Sequence, residues 1–429
     1  MTDFLMPMWE GGGTVPPQLG VARRLIARGH RVHVLGDPTL EARAREVGCG
    51  FTPWREAPHR TTMRAEDDLF RDWEKKSPIA SLKNVRDVFM LAPAAGYAAD
   101  TQRAIEATGP DVLIPDAMLL GALIAGEASG LPMAPLLPSI WMFPAPGAPA
   151  IGPGFLPARG PLGRLRDRAM LGLATRLFDG GLPRLNAIRA EHGLSPLAHL
   201  FDQVLQSDRV LVLTSPSFDF SSAFVPDHVR YVGPVLDDPQ WVEPWSSPFD
   251  EHDDRPLVLV GFSSTFQDQV PLLRRVVEAL AALPVRAVLT LGEMLDPTDV
   301  RGTDNVHVCR SAPHSQLLPE AALVVTHCGH GTSIKALAAG LPAVCIPMGR
   351  DQNDNAARIV HLGAGVRLAP SASARKIRAA VRRVLAEPRF RAAAARVATT
   401  LADEATRLDP VRELEALVDG HAARRELRA

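Results

Sequence analysis

The chain has 429 residues and an ordinary globular balance, with 46% hydrophobic residues, 22% charged residues and a net charge of -1. The length suits two domains rather than one, and the near-neutral charge gives no reason to expect a nucleic-acid partner. Four scattered cysteines without a C-x-x-C pair exclude a disulfide framework and favour reduced thiols in the cytoplasm. We expect no signal peptide, and no membrane span, since no apolar run reaches about 18 residues.

The N-terminal half begins as a parallel α/β sheet. The apolar run 4–8 predicts a strand, and a turn rich in glycine and proline, a helix and a second strand follow it. A later strand at 111–116 ends on the carboxylate of Asp116. Ligands of such sheets bind at the carboxyl ends of the strands, so the loop around Thr14 and the side chain of Asp116 are predicted to lie at a site.

Two segments of this half are irregular. Residues 59–102 are polar and predicted to be helical. Pro138–Pro161 holds seven prolines and four glycines, which exclude regular structure, and it also carries the large apolar residues Trp141, Met142 and Phe143. Long apolar loops of this kind are usually functional, so we expect this one to cover an apolar pocket.

An irregular stretch rich in Asp, Glu, Pro, Ser and Trp divides the chain. We place an N-terminal domain at 1–235, a linker at 236–256 and a C-terminal domain at 257–429, whose last helix is free to pack back on the N-terminal domain. The second half again opens with strand, loop and helix. Each half therefore has the pattern of a doubly wound α/β unit, and the cleft between the two is the expected site.

The most informative stretch is 311–355. A strand at 322–326 leads into the turn His327-Cys328-Gly329-His330-Gly331-Thr332, and an alanine-rich helix follows. A helix that begins in a glycine turn presents unpaired N–H groups and partial positive charge, which favours a phosphate. The glycines let the backbone approach a ligand, and the imidazole and hydroxyl at the two ends of the turn add donors.

After the next strand, the polar run 351–355 offers groups for the hydroxyls of a sugar. Together with the phosphate turn, it predicts a site for a nucleotide-diphosphate sugar.

Several ordered segments carry a resemblance to a known family. They are GGGTVPPQLGVARRLIARGHRV, DVLIPDAMLLGALIAGEASGLP, YVGPV, VLVGFSSTFQ and the run 311–355. With these segments the chain resembles GT-B glycosyltransferases of the UDP-glycosyltransferase-like family, most of all the actinobacterial natural-product enzymes. The resemblance implies two Rossmann-like domains facing each other across a cleft, with a nucleotide sugar on the C-terminal domain and an acceptor on the N-terminal one.

The resemblance also implies a reaction. It is inverting transfer, without an essential metal or other cofactor, from a dTDP- or UDP-sugar to a hydrophobic small molecule such as a polyketide, macrolide or aromatic compound. The protein would act as a monomer or homodimer. A helix N-terminus and a histidine can stabilise the charge of the leaving group, which agrees with the implied chemistry.

The implied site residues fall into three groups. Donor-binding residues are Ser264, Thr265, His327, Gly329, Gly331 and Thr332 around the diphosphate, Ser311, Ala312 and His314 along the base and ribose, and His330, Asp351 and Gln352 around the sugar. Asp116 matches the carboxylate that orients the catalytic histidine of the family, and Thr14 occupies the position of that histidine. Acceptor-binding residues are Trp9, Trp141, Met142 and Phe143.

Four positions depart from the family pattern. Besides Thr14, they are Ser311 in place of an aromatic residue that often stacks on the base, Lys335 in place of an acid near the ribose, and Ser263 in place of a glycine. Threonine cannot act as a general base near neutral pH.

Three interpretations of the missing histidine stay open. Asp116, or another acid such as Glu10, takes the proton of the acceptor directly; or the acceptor is acidic enough to need little activation; or the chain is a catalytically silent partner of another transferase. A nucleotide-sugar epimerase on the same fold is a further alternative. It would need additional acid and base residues around the sugar.

Overall fold

The computed structural model describes residues 1–75, 77–238 and 245–426. The predicted linker at 236–256 therefore lies partly outside the described residues, at 239–244, and so does the end of the predicted C-terminal domain, at 427–429.

The N-terminal half is a parallel sheet with helices on both faces. Its strands are β1 Asp3–Pro7, β2 Arg31–Gly36, β3 Gly50–Pro53, β4 Val112–Leu113, β5 Leu136–Leu137, β6 Val210–Val212 and β7 Val229–Tyr231. Its helices are α1 Val15–Ala27, α2 Glu41–Val47, α3 Pro78–Asn84, α4 Ala94–Thr108, α5 Leu120–Ser129, α6 Pro161–Asp179, α7 Leu182–Glu191 and α8 Asp202–Leu205.

The strand order of this half is that of a dinucleotide-type fold. The strands pair in the orders β3-β2-β1-β4 and β5-β6-β7. Isolated parallel bridges, Leu113 to Met133 and Asp116 to Leu136, join these two groups. The sheet is interrupted between β4 and β5, where Pro115 has no N–H to donate. This interruption explains why the predicted strand at 111–116 shortens to β4.

The C-terminal half is a second parallel sheet, ordered β10-β9-β8-β11-β12-β13. Its strands are β8 Leu257–Gly261, β9 Arg286–Thr290, β10 Val306–Cys309, β11 Ala321–Thr326, β12 Ala343–Cys345 and β13 Gly365–Arg367. Its helices are α9 Val270–Ala281, α10 His314–Leu317, α11 His330–Ala338, α12 Gln352–His361, α13 Ala374–Ala386, α14 Pro388–Ala405 and α15 Pro410–Glu426.

The last helix, α15, packs on the N-terminal half. Its apolar side chains Val411, Leu414 and Leu417 belong to the same buried cluster as Phe4 of β1 and Leu19 of α1. The chain therefore crosses back over the cleft after completing the C-terminal sheet.

Residues 59–102 are less helical than the sequence predicts. Ala65–Asp67 and Asp72–Glu74 are single 3₁₀ turns, and the first α-helix of this stretch, α3, begins only at Pro78. Side chains before Pro78 contact the C-terminal half instead of lining one helix face, as described below. The prediction of a helix was wrong for that part.

Candidate active site

The phosphate turn follows β11, a central strand of the C-terminal sheet, and leads directly into α11. Cys328 adopts a left-handed backbone conformation, with φ of 68°. The hydroxyl of Thr326 accepts a hydrogen bond from the Cys328 N–H at 3.1 Å, and the Asn355 amide donates to the Cys328 carbonyl at 3.0 Å. These two contacts fix a conformation that non-glycine residues rarely adopt.

His327 lies at the entrance to this turn. Its ring stacks on Phe262, with ring centroids 5.8 Å apart, and a side chain at Gly329 would lie 2.6 Å from Nε2 of the imidazole. Burial lowers the pKa of His327 to about 4, so the ring is neutral at pH 7 and carries one N–H. The Gly261 backbone at the end of β8 interacts with the imidazole and acts against this shift.

The loop Ser263–Thr265 follows β8, the strand next to β11. The hydroxyl of Ser263 accepts a hydrogen bond from the Thr265 N–H at 3.2 Å, so the serine at the usual glycine position stabilises the loop. Ser264 at the tip is exposed. The predicted diphosphate residues of the two loops thus come from adjacent strand ends.

The glycine loop of the N-terminal half touches this loop. Gly12 has φ of +65°, and a side chain there would lie 2.5 Å from Cγ2 of Thr265 and 2.7 Å from Oγ of Ser264. Glycine is therefore required at position 12 for the two halves to approach this closely.

The predicted base and ribose residues lie beside β8. A side chain at Gly261 would lie 3.4 Å from Cγ2 of Thr332 and 3.8 Å from Cε1 of His314, so these two residues are close to the same backbone. Ala312 is buried, whereas Ser311 is exposed.

Lys335, the residue at the position of the ribose acid, is paired with a carboxylate from the linker. Its ammonium donates to Oδ1 of Asp238 at 2.8 Å, and the other carboxylate oxygen accepts from the Ser315 N–H at 2.7 Å. The Asp238 carboxylate thus supplies a negative charge near α10 and α11, where position 335 itself carries a lysine.

The predicted sugar-binding residues make contacts of their own. Asp351 precedes α12, and its carboxylate accepts a hydrogen bond from Ser139 of the N-terminal half at 2.7 Å. Gln352 is buried, and its Oε1 accepts from the Met348 and Gly349 N–H groups at 2.7 and 3.1 Å. These bonds hold the loop before α12.

His330 contacts the opposite half of the chain. Its Nε2 lies 2.8 Å from the hydroxyl of Thr214, and its ring contacts Phe218 edge-on. Burial lowers the pKa of His330 to about 4, so this imidazole is also neutral at pH 7. The histidine side chain joins the two halves.

Asp116 lies buried at the carboxyl end of the N-terminal sheet, below the glycine loop. Its two oxygens accept hydrogen bonds from the Met118 N–H at 2.9 Å and from the Gln18 amide at 2.8 Å. Burial raises the pKa of Asp116 to about 6, although the donors of Met118, Gln18 and Trp9 act against this shift. The carboxylate is a stronger base than an ordinary aspartate and is still mostly ionised at pH 7.

Gln18 was missed by the sequence analysis. Its amide also donates to the Thr14 carbonyl at 3.2 Å, so it links the two predicted catalytic residues. It lies four residues after Thr14 in α1, on the same helix face, and that spacing could have identified it. The Thr14 hydroxyl itself is buried without a hydrogen-bond partner in the described ranges.

Glu10, the other acid considered as a base, supports the glycine loop. Its Oε1 accepts from the Gly12 N–H at 3.0 Å, its other oxygen pairs with Arg43, and its own N–H donates to Asp37 at 2.7 Å. Burial raises the pKa of both carboxyl groups. Glu10 therefore sets the shape of the loop that meets Ser264 and Thr265.

The four predicted acceptor residues lie in the N-terminal half at different depths. Trp141 and Phe143 are buried in its core, with their ring centroids 5.0 Å apart. Trp9 and Met142 are partly buried and pack against that core. Only Trp9 and Met142 therefore have exposed surface that an acceptor could contact. Trp141 and Phe143 pack inside the core.

Arg350 is a further residue that the sequence analysis passed over, although a basic residue directly before Asp351 was a visible signal. It has φ of 54°. Its Nη1 donates to the Thr265 hydroxyl at 2.6 Å, and its Nε and Nη2 donate to the Asp72 carboxylate at 2.6 and 2.9 Å. A guanidinium group thus lies against the loop predicted to hold the diphosphate.

The chain has relatives across most of its length. A family described as erythromycin biosynthesis protein CIII-like, C-terminal domain, matches residues 274–417. The chain is 32% identical over 421 residues to 4'-demethylrebeccamycin synthase of Lentzea aerocolonigenes, covering 96% of this chain and 99% of that protein.

Solved structures have the same fold. The glycosyltransferase of kitacinnamycin has a TM-score of 0.73 at 24% identity, covering 94% of this chain and 95% of that one. The spinosyn rhamnosyltransferase SpnG complexed with thymidine diphosphate has a TM-score of 0.63 at 21% identity, covering 97% of this chain and 100% of that one.

These comparisons confirm the predicted GT-B fold of two Rossmann-like α/β domains. None of the helices in the described part of the chain is both long and apolar enough to cross a membrane. The chain belongs to the actinobacterial natural-product glycosyltransferases and is a glycosyltransferase.

Proposed function

We propose that the protein transfers a sugar from a dTDP- or UDP-sugar to a hydrophobic natural-product acceptor, with inversion at the anomeric carbon and without a metal ion or other cofactor. The relative named 4'-demethylrebeccamycin synthase supports a natural product as acceptor. The thymidine diphosphate in the structure of the spinosyn enzyme supports a nucleoside diphosphate as the leaving group.

The observation that carries the proposal is the His327 imidazole at the turn into α11, where Nε2 lies beside Gly329 and no side chain of the described residues caps the helix. The N-terminus of α11 adds backbone N–H groups and partial positive charge at the same place. A diphosphate between this turn and the Ser263–Thr265 loop would satisfy all of these groups.

The charge of the leaving group is met by protein groups in this proposal. As the bond to the sugar breaks, negative charge grows on the diphosphate, and preorganised donors stabilise it more in the transition state than in the ground state. The neutral His327 ring and the helix N-terminus act there without being rearranged. Ser264 and Thr265 provide hydroxyl groups from the other side.

Asp116 is the proposed general base, which takes the proton from the hydroxyl group of the acceptor molecule. Its raised pKa of about 6 makes it a stronger base, and Gln18 and Met118 orient both carboxylate oxygens. The interpretation of an acidic acceptor, such as a phenol, stays open because the carboxylate is 1% exposed. Membership in a glycosyltransferase family disfavours the epimerase and silent-partner interpretations.

Nucleotide binding is the first test. UDP and dTDP are added separately at millimolar concentration to the full chain, and the melting temperature is measured. We expect one of them to raise it, since a ligand that binds only the folded state stabilises that state. The absence of a shift with both nucleotides would contradict the proposal.

Turnover is the second test. The protein is incubated with a panel of nucleotide sugars and aromatic or macrocyclic acceptors, and the products are analysed by mass spectrometry. NMR of the product then gives the anomeric configuration, which the proposal expects to be inverted relative to the donor. Turnover in excess EDTA should equal turnover without it, and retention of configuration or loss of activity in EDTA would overturn those parts of the proposal.

A further inference from the structure

A segment of the N-terminal half, Arg60–Lys75, reaches across the cleft to the C-terminal half; we call it the strap. Trp73 packs edge-on against Phe266, with ring centroids 5.0 Å apart. The Arg60 guanidinium contacts the Met294 sulfur at 3.7 Å. The third contact is the ion pair between Asp72 and Arg350. The strap therefore lies over the loop that follows β8.

Arg350 is held in one orientation by its surroundings. Gln352 binds the two backbone N–H groups that precede the arginine, and the left-handed backbone at Arg350 aims its side chain at Thr265 and the strap. Rare backbone conformations of this kind cluster at ligand sites, where the surrounding structure maintains them. The side chain is 24% exposed.

The contacts of the guanidinium are those of a phosphate clamp. Two of its nitrogens bind the Asp72 carboxylate in a fork, and the same planar fork fits two oxygens of a phosphate. Its third nitrogen binds Thr265, a predicted diphosphate residue. A carboxylate of the protein thus occupies the donors that a diphosphate would use.

We propose that Arg350 binds the diphosphate of the nucleotide sugar and that Asp72 is its internal competitor, which the diphosphate replaces on the guanidinium when the donor binds. This inference rests on the proposed function, since it requires a nucleoside diphosphate in the cleft. Arg350 would add a positive charge to a site whose other hydrogen-bond donors, the His327 ring and the N–H groups at the start of α11, are neutral. It also couples occupation of the donor site to the position of the strap.

If Asp72 and a diphosphate compete for Arg350, substitutions at the two ends of the ion pair should change the affinity for the nucleotide in opposite directions. A purely structural ion pair would not show this pattern. Asp72→Asn removes the competing charge, while Thr265 still binds Arg350 and Asp68 and Asp351 still act on it, so affinity for a nucleoside diphosphate should rise about three- to tenfold. Arg350→Gln removes the clamp, so affinity should fall about tenfold or more, because hydrogen bonds to charged groups are each worth a factor of that order. Opposite effects at the two ends of one ion pair are the signature of the proposal.

The experiment measures the dissociation constants of dTDP and UDP by titration calorimetry for the full-length protein and four variants. Arg350→Lys keeps the charge without the fork and should fall between wild type and Arg350→Gln. Asp67→Asn is the matched control, because Asp67 lies in the strap and binds Thr62 rather than Arg350. Its affinity should equal that of wild type.

Thymidine and uridine, which lack phosphates, serve as the second pair of probes. Their affinities should not differ between wild type, Asp72→Asn and Arg350→Gln. Circular dichroism and melting temperature confirm that each variant is folded. Loss of affinity in both Asp72→Asn and Arg350→Gln, or unchanged affinity in both, would overturn the inference while the wild-type binding still supports the proposed function. Failure of wild type to bind either nucleotide would instead overturn the proposed function, and this inference with it.

Discussion

The two halves of the molecule share the order of their first six strands but differ in how their sites are built. In the C-terminal half, β8 and β11 are adjacent and almost fully buried, and the two loops at their carboxyl ends form the predicted diphosphate site directly. In the N-terminal half, the sheet is interrupted beside Asp116, and long irregular segments complete the surface. The backbone of a regular fold can bind a ligand group that does not vary, such as a diphosphate. Acceptors that vary are bound by loops.

The irregular segments of the N-terminal half are nevertheless tied to the C-terminal half. Ser139 binds Asp351, and the Gly152 and Gly154 N–H groups bind the Asp354 carboxylate at 2.7 and 3.1 Å. The loop expected to cover the acceptor is thus attached to α12, next to the predicted sugar-binding residues. The predicted donor and acceptor sites are therefore adjacent.

The substitution that best distinguishes the roles of the two halves in transfer is Asp116→Asn. It should reduce transfer by at least about 100-fold, the usual contribution of a general base, because the amide cannot take the proton of the acceptor. The affinity for dTDP or UDP, measured by calorimetry, should not change, since the predicted donor site lies in the other half. Turnover close to wild type would contradict the role of Asp116 and favour an acceptor that needs little activation.

The corresponding change in the C-terminal half is His327→Ala. It removes a donor to the leaving group, and turnover should fall about 100-fold, as for the loss of one transition-state hydrogen bond in other enzymes. Binding of the free nucleotide should weaken as well, which distinguishes this variant from Asp116→Asn.

His252→Ala, in an exposed turn, is the control for His327→Ala and should behave as wild type. Initial rates with saturating donor are the measurement. Equal turnover in the two histidine variants would argue against a phosphate at the turn.

The contact between the halves is tested by Gly12→Ala. The added methyl group would collide with Thr265 and Ser264, and φ of +65° is unfavourable for alanine, so turnover should fall about tenfold while the protein remains folded. Gly13→Ala is the matched control, because a side chain there has no neighbour within 4 Å. Similar rates in both alanine variants would show that the close approach of the two loops does not matter for transfer.

The smallest effect expected is a pH dependence. The pKa of Asp116 is raised by burial to about 6, so the protonated, inactive form accumulates below that value. The value of kcat/KM should be flat above pH 7 and fall about tenfold per unit below pH 6. Asp116→Asn should lose this step in its residual activity. A profile that follows the pKa of the acceptor instead would assign the proton transfer to the acceptor itself.

Local sequence signals were sufficient for much of the donor half. Strand, turn and helix around His327 lie within one short stretch, and their order alone predicts unpaired N–H groups facing a ligand. The same reasoning placed Asp116 at a strand end, and the structure shows it linked to Thr14 through Gln18.

Contacts between distant parts of the chain could not be predicted in this way. Asp72 and Arg350 are 278 residues apart, and no periodicity relates them. The sequence predicts a helix over 59–102, but in the structure Asp72 and Trp73 lie in a single 3₁₀ turn and contact Arg350 and Phe266 of the other half. The same limit applies to Lys335, whose partner Asp238 comes from the predicted linker.

The most direct test of the donor site is a crystal structure of the full-length protein with dTDP or UDP, whichever raises the melting temperature. We expect a phosphate oxygen within about 3 Å of a ring nitrogen of His327, a hydrogen-bonding distance, and at the N-terminus of α11. A diphosphate bound in the N-terminal half, or one that makes no contact with the His327 ring, would contradict the account.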